Sequence, residues 1–579
     1  MNKKVIIKEK AEESVIRHLQ EVLKTKDNVL LNETLANLLA QRGIKTYEEA
    51  ETFFRPSLDK LHDPFLMKDT DKAVSRLSKA ILQNEKILIY GDYDVDGTTS
   101  TALVYSFLKK YVKQIDYYIP DRYSEGYGIS YKGIDFAEKN DFSLVIALDC
   151  GIKANKKIDY ANQKNIDFII CDHHTPGDKI PDATAVLDPK RPDCSYPDKN
   201  LSGCGVGFKF LQAFSESQQI PFDELLEFID LVAVSIASDI VPVVGENRIL
   251  AYYGLKKLNS NPITGLKTIK NIAGVKDKDL TISDCVFKIG PRINAAGRIE
   301  SGMSAVELLI SEDSADAHGF AKNIDNFNNE RKELDRTITH DALRTIGTDI
   351  DLRNRKSTVV FHKDWHKGVV GIVASRLTET YYRPTIVLGE SDGLATGSAR
   401  SVSDYNIYQA IDACSHLLES FGGHKFAAGL SLKVENIEAF SDCFEKYVSE
   451  TITDEQLIPV IRVDAKLKFS DIDRKFFSIM SQMAPFGPGN MSPVFITENV
   501  QDTGNSRRVG ANKDHLKLEV ADEEGVIMSG IAFSFEPEYY ERMSSEPKPK
   551  FDICYSISQN EFRGKINLQL SVKEIIFSE

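Results

Sequence analysis

The sequence predicts a multidomain α/β protein with a parallel-sheet domain, a long helix, a second α/β domain and a C-terminal β-barrel. Three observations support this prediction. Short apolar runs alternate with helical patterns from about residue 71, which is typical of βαβ units and a mainly parallel sheet. A long amphipathic pattern covers 311–346. Apolar and polar residues then alternate strictly near the end of the chain, as in half-buried strands.

The N-terminal 70 residues and the domain that follows differ in character. Residues 1–70 are expected to be a helical segment, with a loop at 55–57 and no chemical motif. The next domain, 71–310, contains short apolar runs bounded by polar residues, which predict strands. These runs lie at 87–90, 115–119, 144–148 and 168–171.

A single long helix is predicted between the two α/β domains. Apolar residues recur there at spacings of three, four or seven, which indicates an amphipathic helix. These residues are Phe320, Ile324, Phe327, Leu334, Ile338 and Ala342. An ordinary packed helix would show the same pattern. Because the segment far exceeds the mean helix of roughly 11–12 residues, we favour a connector over 311–350 that leads into a second α/β domain over 351–454.

The final segment, 455–579, is predicted to be a small barrel or sandwich. Its alternating apolar residues are Leu516, Leu518 and Val520, and Ile566, Leu568, Leu570 and Val572. Basic and aromatic side chains accompany these strands. They are Arg507, Arg508, Lys513, Lys517, Arg563 and Lys565, with Phe533, Phe535 and Phe562. On a small barrel they fit a surface that stacks and tracks single strands, although one or two of the aromatic rings are expected in the core.

Length and composition limit the class of protein. A chain of 579 residues is too long for one hydrophobic core. The net charge of −14 argues against a protein that coats nucleic acid, but leaves room for a local basic channel. No apolar stretch approaches the roughly 20 residues of a membrane helix, and no signal peptide is recognisable, so we expect a cytoplasmic protein. The eight cysteines form no Cys-x-x-Cys pair, which favours reduced, mostly buried thiols.

Acidic and imidazole residues follow the predicted strands. Asp92, Asp94 and Asp96 come after 87–90. In an open α/β sheet, chemistry lies just beyond the carboxyl ends of the strands. Three such carboxylates would repel one another without a cation, and oxygen-rich sites with little imidazole suit Mn²⁺ or Mg²⁺ better than Zn²⁺. Taken alone, this cluster fits a calcium-like loop or a solvated acidic turn equally well.

A pair of histidines shifts the balance towards catalysis. Asp172, His173 and His174 follow the run 168–171. One imidazole can bind a metal while the other meets substrate, and Asp172 can fix a ring tautomer. Asp149 and Asp239 follow further apolar runs. Carboxylates at the ends of several strands around a histidine pair favour a two-metal hydrolase.

Four of these segments together resemble the motifs of the DHH phosphoesterase family, and within it the bacterial single-strand-specific 5′→3′ exonucleases. They are Gly91–Gly97, Asp149–Gly151, Asp172–His174 and Ala237–Pro242. Similarity continues at 120–128, 290–298 and 365–371, and Gly422-Gly423-His424 resembles the associated DHHA1 domain. The resemblance runs from about residue 70 to the end of the chain. It implies a DHH domain, a connector helix, a DHHA1 domain and an OB-fold within the boundaries given above.

The resemblance also implies roles for individual residues. Two divalent cations, Mn²⁺ or Mg²⁺, would be held by Asp94, Asp96, Asp149, His173 and Asp239, with Asp149 between them. His174 would face the scissile phosphate, and Asp92 belongs to the same catalytic motif. The 5′-phosphate pocket would contain Arg122, Ser398 and Arg400, with Tyr127 near the first nucleotide. Further substrate contacts would come from Arg292, Asn294, Arg298 and His424. For each arginine of that pocket taken alone, a surface ion pair is the favoured interpretation.

The function that follows is metal-dependent hydrolysis of single-stranded DNA from its 5′ end to 5′-mononucleotides, in recombination and repair. The protein would be a monomer without a membrane partner, working with a helicase and a single-strand-binding protein. One alternative is a DHH phosphodiesterase of short oligonucleotides or cyclic dinucleotides, which would need neither barrel nor connector. Another is a non-catalytic DNA-binding replication scaffold, which would not need intact carboxylates and histidines.

Overall fold

The structure, a computed structural model, describes residues 3–24, 28–535, 537–562 and 564–577. Two compact units divide the chain. Asp63–Asp239 and Tyr253–Pro459 belong to the first, and Lys4–His62, Ile240–Tyr252 and Val460–Glu579 to the second. None of the helices in the described ranges is both long enough and apolar enough to cross a membrane.

The N-terminal segment contains a strand as well as the expected helices. Its elements are β1 Lys4–Ile7, α1 Glu13–Val22, α2 Glu33–Ala40 and α3 Tyr47–Phe54. Asn32 caps α2, and a capping box of Thr46 and Glu49 begins α3, which explains where these helices start. β1 pairs in parallel with a strand more than 450 residues away. Local sequence cannot reveal such a partner, so the segment was predicted as helical only.

The parallel-sheet domain begins after residue 62 and positions the acidic motifs. Its strands are β2 Ile87–Tyr90, β3 Ile115–Tyr118, β4 Leu144–Leu148, β5 Asp167–Cys171 and β6 Ala185–Leu187. Its helices are α4 Thr70–Leu82, α5 Val95–Leu108, α6 Tyr131–Lys139, α7 Asn155–Gln163, α8 Gly203–Gln218, α9 Phe222–Leu226, α10 Ile229–Ser238, α11 Gly245–Ser260, α12 Thr264–Ile272, α13 Ile282–Asp284, α14 Gly290–Ile299 and α15 Met303–Ile310.

All five strands of this sheet are parallel, in the order β3-β2-β4-β5-β6. The chain moves from β2 to one side and then returns to place β4 on the other side. The order therefore reverses between β2 and β4, and ligand sites of open α/β sheets lie at such a switch point. β2 and β4 are buried along their whole length, as expected for a sheet covered on both faces.

The long helix and the second α/β domain follow. Their elements are α16 Ser314–Thr348, α17 Ile350–Asn354, β7 Thr358–His362, α18 Val370–Tyr381, β8 Thr385–Ser391, β9 Leu394–Arg400, α19 Ile407–Asp412, β10 Ser420–His424, β11 Ala427–Lys433 and α20 Ile437–Thr451. The sheet order is β10-β11-β9-β8-β7, and only β7 and β8 are parallel.

The helix α16 connects the two α/β domains and also packs against helices of both. It contacts α12, α14, α15 and α18. Its buried stripe is shifted from the predicted one, because Phe320, Phe327 and Leu334 are only half-buried while Asn328 and Asp335 are buried. Asp335 forms an ion pair with Arg376 of α18, at 2.8 Å. A buried charge is tolerated when it is paired in this way, so an apolar pattern alone misplaces the contact face.

The C-terminal segment closes into a barrel. Its elements are β12 Val460–Val463, β13 Ala465–Lys466, α21 Arg474–Ser481, β14 Phe495–Asp502, β15 Arg507–Val509, β16 His515–Ala521, β17 Ile527–Ala532, α22 Pro537–Met543, β18 Phe551–Phe562 and β19 Lys565–Phe577. The cycle β14-β16-β17-β19-β18 returns to β14, and β17 and β19 pair in parallel. A closed five-stranded barrel of this kind is an OB-fold, and β16 alternates buried and half-buried residues as predicted.

Candidate active site

The first acidic motif forms a tight loop at the carboxyl end of β2. Asp94 caps α5, and its Oδ1 accepts a hydrogen bond from the Gly97 amide at 3.1 Å. The hydroxyl residues 98–101 therefore lie inside the helix rather than at its start. A side chain at position 97 would lie 2.4 Å from the carbonyl oxygen of Asp92. Only glycine fits there, which lets the chain fold back and bring the three aspartates together.

Asp96 is held by groups that sequence reasoning missed. Its Oδ2 accepts from the Gly203 amide at 2.7 Å, and its Oδ1 accepts from the Cys204 amide at 2.8 Å and from Ser235 Oγ at 2.7 Å. The two amides belong to the first turn of α8, where unpaired N–H groups attract a carboxylate. The sequence analysis did not select Gly203, Cys204 or Ser235, because contacts between distant elements leave no local pattern.

Asp149 and His173 meet at the edge of the sheet. His173 Nε2 lies 3.2 Å from Asp149 Oδ1, 3.5 Å from Asp239 Oδ2 and 3.7 Å from Asp96 Oδ2. Asp149 follows β4 with a positive φ of 59°, a strained conformation for a non-glycine residue. The prediction that Asp239 ends a strand was wrong. Asp239 caps the C-terminus of helix α10, and a fully buried helix shows the same continuous apolar run as a buried strand.

His174 is oriented by Asp172, as the sequence suggested. His174 Nδ1 lies 2.7 Å from Asp172 Oδ1, and Asp172 Oδ2 accepts from the Ile152 amide at 2.9 Å. The opposite ring nitrogen, Nε2, lies 3.1 Å from the Tyr127 hydroxyl. That hydroxyl donates to the Asp149 carbonyl at 3.0 Å. Tyr127 and His174 are thus brought beside Asp149.

The electrostatics of this cluster favour binding of a cation. Burial, followed by the neighbouring carboxylates, raises the pKa values of Asp92, Asp94 and Asp149, and raises that of Asp239 to about 8. Like charges this close cannot all ionise without compensation. Asp92 Oδ2, Asp149 Oδ1 and His173 Nε2 are buried and find no hydrogen-bond partner among the described residues.

Two groups of side chains have the spacing of metal ligands. Asp149, His173 and His174 form one group, and Asp96, His173 and Asp239 form the other, with all donor atoms of a group within 4.8 Å of one another. Carboxylate oxygens with one or two imidazoles suit Mn²⁺ or Mg²⁺. Asp92 and Asp94 belong to neither group within the described part of the chain.

Three predicted substrate arginines gather beside this cluster. The Arg122 guanidinium lies 4.9 Å from the ring centre of Tyr93, a residue that sequence reasoning did not select. Burial, and after it the charge of Arg122, lowers the pKa of Arg400, and the same two causes contribute to lowering the pKa of Arg298 to about 10. In the residues described, none of the three arginines forms an ion pair with a carboxylate. The alternative interpretation, in which each of these arginines forms a surface ion pair, is therefore wrong.

The side chains of Ser398 and Arg400 both lie close to Gly371, which has no side chain of its own. A side chain at Gly371 would lie 3.1 Å from Ser398 Oγ and 3.2 Å from Arg400 Nη2. The absence of a side chain at Gly371 leaves room where a hydroxyl and a guanidinium converge. A donor pair of this type is suited to a phosphate group.

The structure gives less support to the remaining predicted substrate contacts. Arg292 forms an ion pair with Asp325 at 3.0 Å and donates to the Lys288 carbonyl, so an internal partner holds its guanidinium. Asn294 is half-buried on α14. His424 is exposed at the end of β10, two strands across the sheet from Arg400.

The barrel presents part of its predicted surface. Arg507, Arg508 and Lys513 are exposed, Lys517 is half-buried, and Phe533 is 61% exposed with its ring against His515. Phe535 packs against the core, as expected for some of the rings. Arg563 and the side chains of Phe562 and Lys565 lie outside the described residues.

Comparisons with known proteins agree with this architecture. The model of the DHH family, N-terminal domain, matches 86–236, the DHHA1 domain matches 354–450, and the RecJ OB domain matches 463–574. The single-stranded-DNA-specific exonuclease RecJ of Bacillus subtilis is 38% identical over 94% of this chain and 68% of its own length. The Escherichia coli protein of the same name is 31% identical over 93% of this chain and 95% of its own.

The chain belongs to the RecJ family. Solved structures of RecJ relatives share its fold. Thermus thermophilus RecJ in complex with Mn²⁺ is 24% identical, with a TM-score of 0.83 over 100% of this chain and 80% of the other. An exonuclease RecJ bound to manganese is 30% identical, with a TM-score of 0.60 over 69% of this chain and 98% of the other. The predicted DHH, DHHA1 and OB architecture is thereby confirmed.

Proposed function

We propose that this protein is a metal-dependent exonuclease that degrades single-stranded DNA from the 5′ end to 5′-mononucleotides, in recombination and repair. Relatives that share most of its length are named single-stranded-DNA-specific exonucleases. The observation that carries the proposal is the juxtaposition of two features. Within the described part of the chain, a buried cluster of carboxylates and histidines has ligand atoms without hydrogen-bond partners, and it lies beside arginines that form no ion pair with a carboxylate.

The carboxylate cluster is proposed to hold two divalent cations, Mn²⁺ or Mg²⁺. Asp94, Asp96, Asp149, His173 and Asp239 would be the ligands. RecJ relatives have been solved with manganese and with magnesium. When bound, a metal pair of this kind activates water and neutralises charge on a phosphodiester.

The protein's own residues would orient the scissile phosphate. Asp172 holds His174 through Nδ1, so Nε2 faces the space beside Tyr127 and Asp149. We assign His174 Nε2 as the donor to a phosphate oxygen, a preorganised contact of the kind that stabilises developing charge. Asp92 accepts from the Gly128 amide at 3.1 Å, and so ties the first motif to the loop that carries Tyr127.

The arginines explain why cleavage would begin at an end. Arg122, Ser398 and Arg400 are proposed to bind the 5′-phosphate, and Arg298 the neighbouring backbone. Tyr93 links the proposed phosphate pocket to the catalytic cluster. The centre of its ring lies 4.9 Å from the Arg122 guanidinium and 6.3 Å from the centre of the Tyr127 ring. We propose that a terminal phosphate bound there places the first phosphodiester bond at the catalytic cluster. Mononucleotides are then the expected product.

Two other functions fit the structure less well. A phosphodiesterase of short oligonucleotides would share the catalytic cluster, but it would not need a barrel with exposed Arg507, Arg508 and Phe533. Base stacking on such rings is worth roughly 1–3 kcal/mol per base and favours long strands. A non-catalytic scaffold would have no need for unpartnered carboxylate oxygens, whose burial is costly.

The cellular setting is also a proposal. We place the protein in the cytoplasm as a monomer, working with a helicase that supplies single strands and with a single-strand-binding protein. Arg292, Asn294 and His424 are proposed as outlying substrate contacts. The division into an N-terminal segment to residue 70, a DHH domain to 310, a connector to 350, a DHHA1 domain to 454 and an OB-fold is proposed as the functional one.

Digestion of end-labelled DNA tests the proposal. Single and double strands labelled at the 5′ or the 3′ end would be incubated with Mn²⁺, with Mg²⁺ or with a chelator. We expect labelled mononucleotide to be released first from the 5′ end of single strands, and only with metal. Release of dinucleotides or larger products, earlier release from the 3′ end, or activity in chelator would contradict it.

A further inference from the structure

Two cysteines that are distant in sequence meet in the second α/β domain. The Sγ atoms of Cys414 and Cys443 lie 2.7 Å apart, and both residues are free thiols. Cys414 follows α19 and is fully buried, whereas Cys443 lies on α20 and is half-buried. Neither residue belongs to the proposed catalytic cluster. The sequence alone predicted reduced, mostly buried thiols and gave no sign of this pairing.

The backbone on both sides of this pair is held in place. The Cys414 amide donates to the Ile411 carbonyl at 3.0 Å, and the Cys414 carbonyl accepts from the Leu417 amide at 3.1 Å. On α20, Phe440 and Phe444 flank Cys443 in the sequence and are fully buried in the core that also contains Cys414. Both sulfur atoms are therefore presented by packed elements rather than by mobile loops.

The geometry is close to that of a disulfide. A disulfide bond is about 2.05 Å long, so the two sulfur atoms need to approach by only about 0.7 Å. Such a displacement is within the reach of small side-chain rotations. Because Cys443 is half-buried and Cys414 is not accessible, an oxidant from solvent reaches Cys443 first.

We propose that Cys414 and Cys443 are a redox-reactive pair that a hydroperoxide closes to a disulfide. In the first step the Cys443 sulfur attacks the peroxide oxygen, which gives a sulfenic acid and releases an alcohol, or water from hydrogen peroxide. In the second step the Cys414 sulfur attacks the sulfenic sulfur, and the hydroxyl group leaves with the Cys414 proton as water. The peroxide is reduced by two electrons and the two thiols are oxidised.

The disulfide would tie two parts of the domain together. Cys414 begins the short turn Ser415–Leu417, which leads into the edge strand β10. β10 ends at His424 and pairs only with β11 among the described strands. A covalent link from this corner to α20 would restrain the edge of the sheet that carries His424. Local opening of an edge strand is reported by amide hydrogen exchange.

Peptide mass spectrometry of the full-length protein tests the pair. The protein would be treated with hydrogen peroxide, free thiols would be alkylated, and peptides would be separated without reduction. We expect a linked species joining the peptides of Cys414 and Cys443, about 2 Da lighter than the sum of the reduced peptides. Amide exchange over 413–424 should slow in the oxidised protein and recover after reduction.

Matched serine variants keep the test decisive. Cys443→Ser should abolish the linked species and the slowing of exchange, whereas Cys194→Ser, a thiol elsewhere in the same unit, should keep both. The variants should unfold at the same temperature as the reduced parent, which excludes misfolding as the cause. Sulfinic acid at Cys443 with Cys414 still open to alkylation after unfolding, or a link to a third cysteine, would overturn the proposal.

Discussion

Substitution of Gly203 by alanine should disable the catalytic centre without unfolding the protein. An added Cβ at this position would lie 2.6 Å from Asp149 Cβ and 2.7 Å from Asp149 Oδ1. Carbon atoms in contact are normally about 3.5–4.0 Å apart. Either Asp149 moves away by roughly 0.9 Å, or the first turn of α8 shifts and takes with it the amide that holds Asp96.

The size of the effect follows from that displacement. Misplacement of a reacting group by about 1 Å can cost about 100-fold in rate, which is about 2.7 kcal/mol in activation free energy. The fold should not suffer in proportion, because alanine is favoured over glycine in a helix by about 1 kcal/mol. We therefore expect kcat to fall by two orders of magnitude while the unfolding temperature stays within a few degrees.

Gly205 offers a matched control in the same helical turn. A Cβ there would meet Ser202 Oγ at 3.4 Å and Leu201 side-chain carbons at 3.5 Å, which are ordinary contacts. Gly205→Ala should retain near-normal turnover. Single-turnover release of nucleotide from 5′-labelled single strands, over a range of Mn²⁺ concentrations, would compare the two variants. If Gly203→Ala and Gly205→Ala agree within about threefold, the steric argument is refuted.

Four further predictions concern separate parts of the chain. Asp149→Ala should abolish hydrolysis but preserve most DNA binding, measured by anisotropy, because its carboxylate belongs to one ligand group and lies 3.2 Å from His173, which both groups share. Arg122→Ala or Arg400→Ala should reduce the preference for 5′-phosphate over 5′-hydroxyl ends more than kcat, because charge-assisted bonds to the terminal phosphate are lost. Phe533→Ala should raise KM on long strands by about tenfold and barely change it on strands of a few nucleotides, since an exposed ring stacks with bases. Burial raises the pKa of Asp230 to about 6 from an ordinary 3.8. The folded state is therefore most stable below pH 3.8, where this carboxyl group is protonated, and it loses stability as the pH rises through about 6. Asp230→Asn should unfold at a higher temperature than the parent at about pH 7.5 but not at about pH 4.

Each of these predictions has a clear contrary outcome. Near-normal turnover of Asp149→Ala would remove it from the metal site. Equal losses on both kinds of 5′ end would remove Arg122 and Arg400 from the phosphate pocket. Equal effects on short and long strands would leave Phe533 without a role in stacking. The linkage predicts a relative gain for Asp230→Asn of order 3 kcal/mol between the two pH values, since one pKa unit is about 1.4 kcal/mol; parallel unfolding curves of both proteins would refute it.

Local patterns predicted much of the fold. The runs at β2, β4 and β5 were recognised because buried parallel strands are short, continuous and apolar. The strand β16 was recognised because its buried residues recur with the period of a strand. Asp239 was misassigned to the end of a strand for a related reason. The helix α10 is buried all round, so its sequence lacks the polar face that marks a helix.

Residues alone also identified the catalytic motifs, but not how they are held. The sequence determined that carboxylates and histidines follow β2, β4 and β5, because side chains just after parallel strands share one edge of the sheet. Only the tertiary structure decided that Gly203 and Ser235 fix Asp96. These contacts join residues more than 100 positions apart, and no local periodicity records them.

The same division holds for the arginines and the cysteines. Sequence determined that Arg122, Arg298 and Arg400 have the chemistry to bind phosphate, and that no two cysteines are close along the chain. Tertiary structure decided that the three guanidinium groups gather without carboxylate partners in the described chain, and that Cys414 touches Cys443. Secondary structure follows from interactions over a few residues. These long-range contacts depend instead on how whole elements pack, which the periodicity of a single segment does not encode.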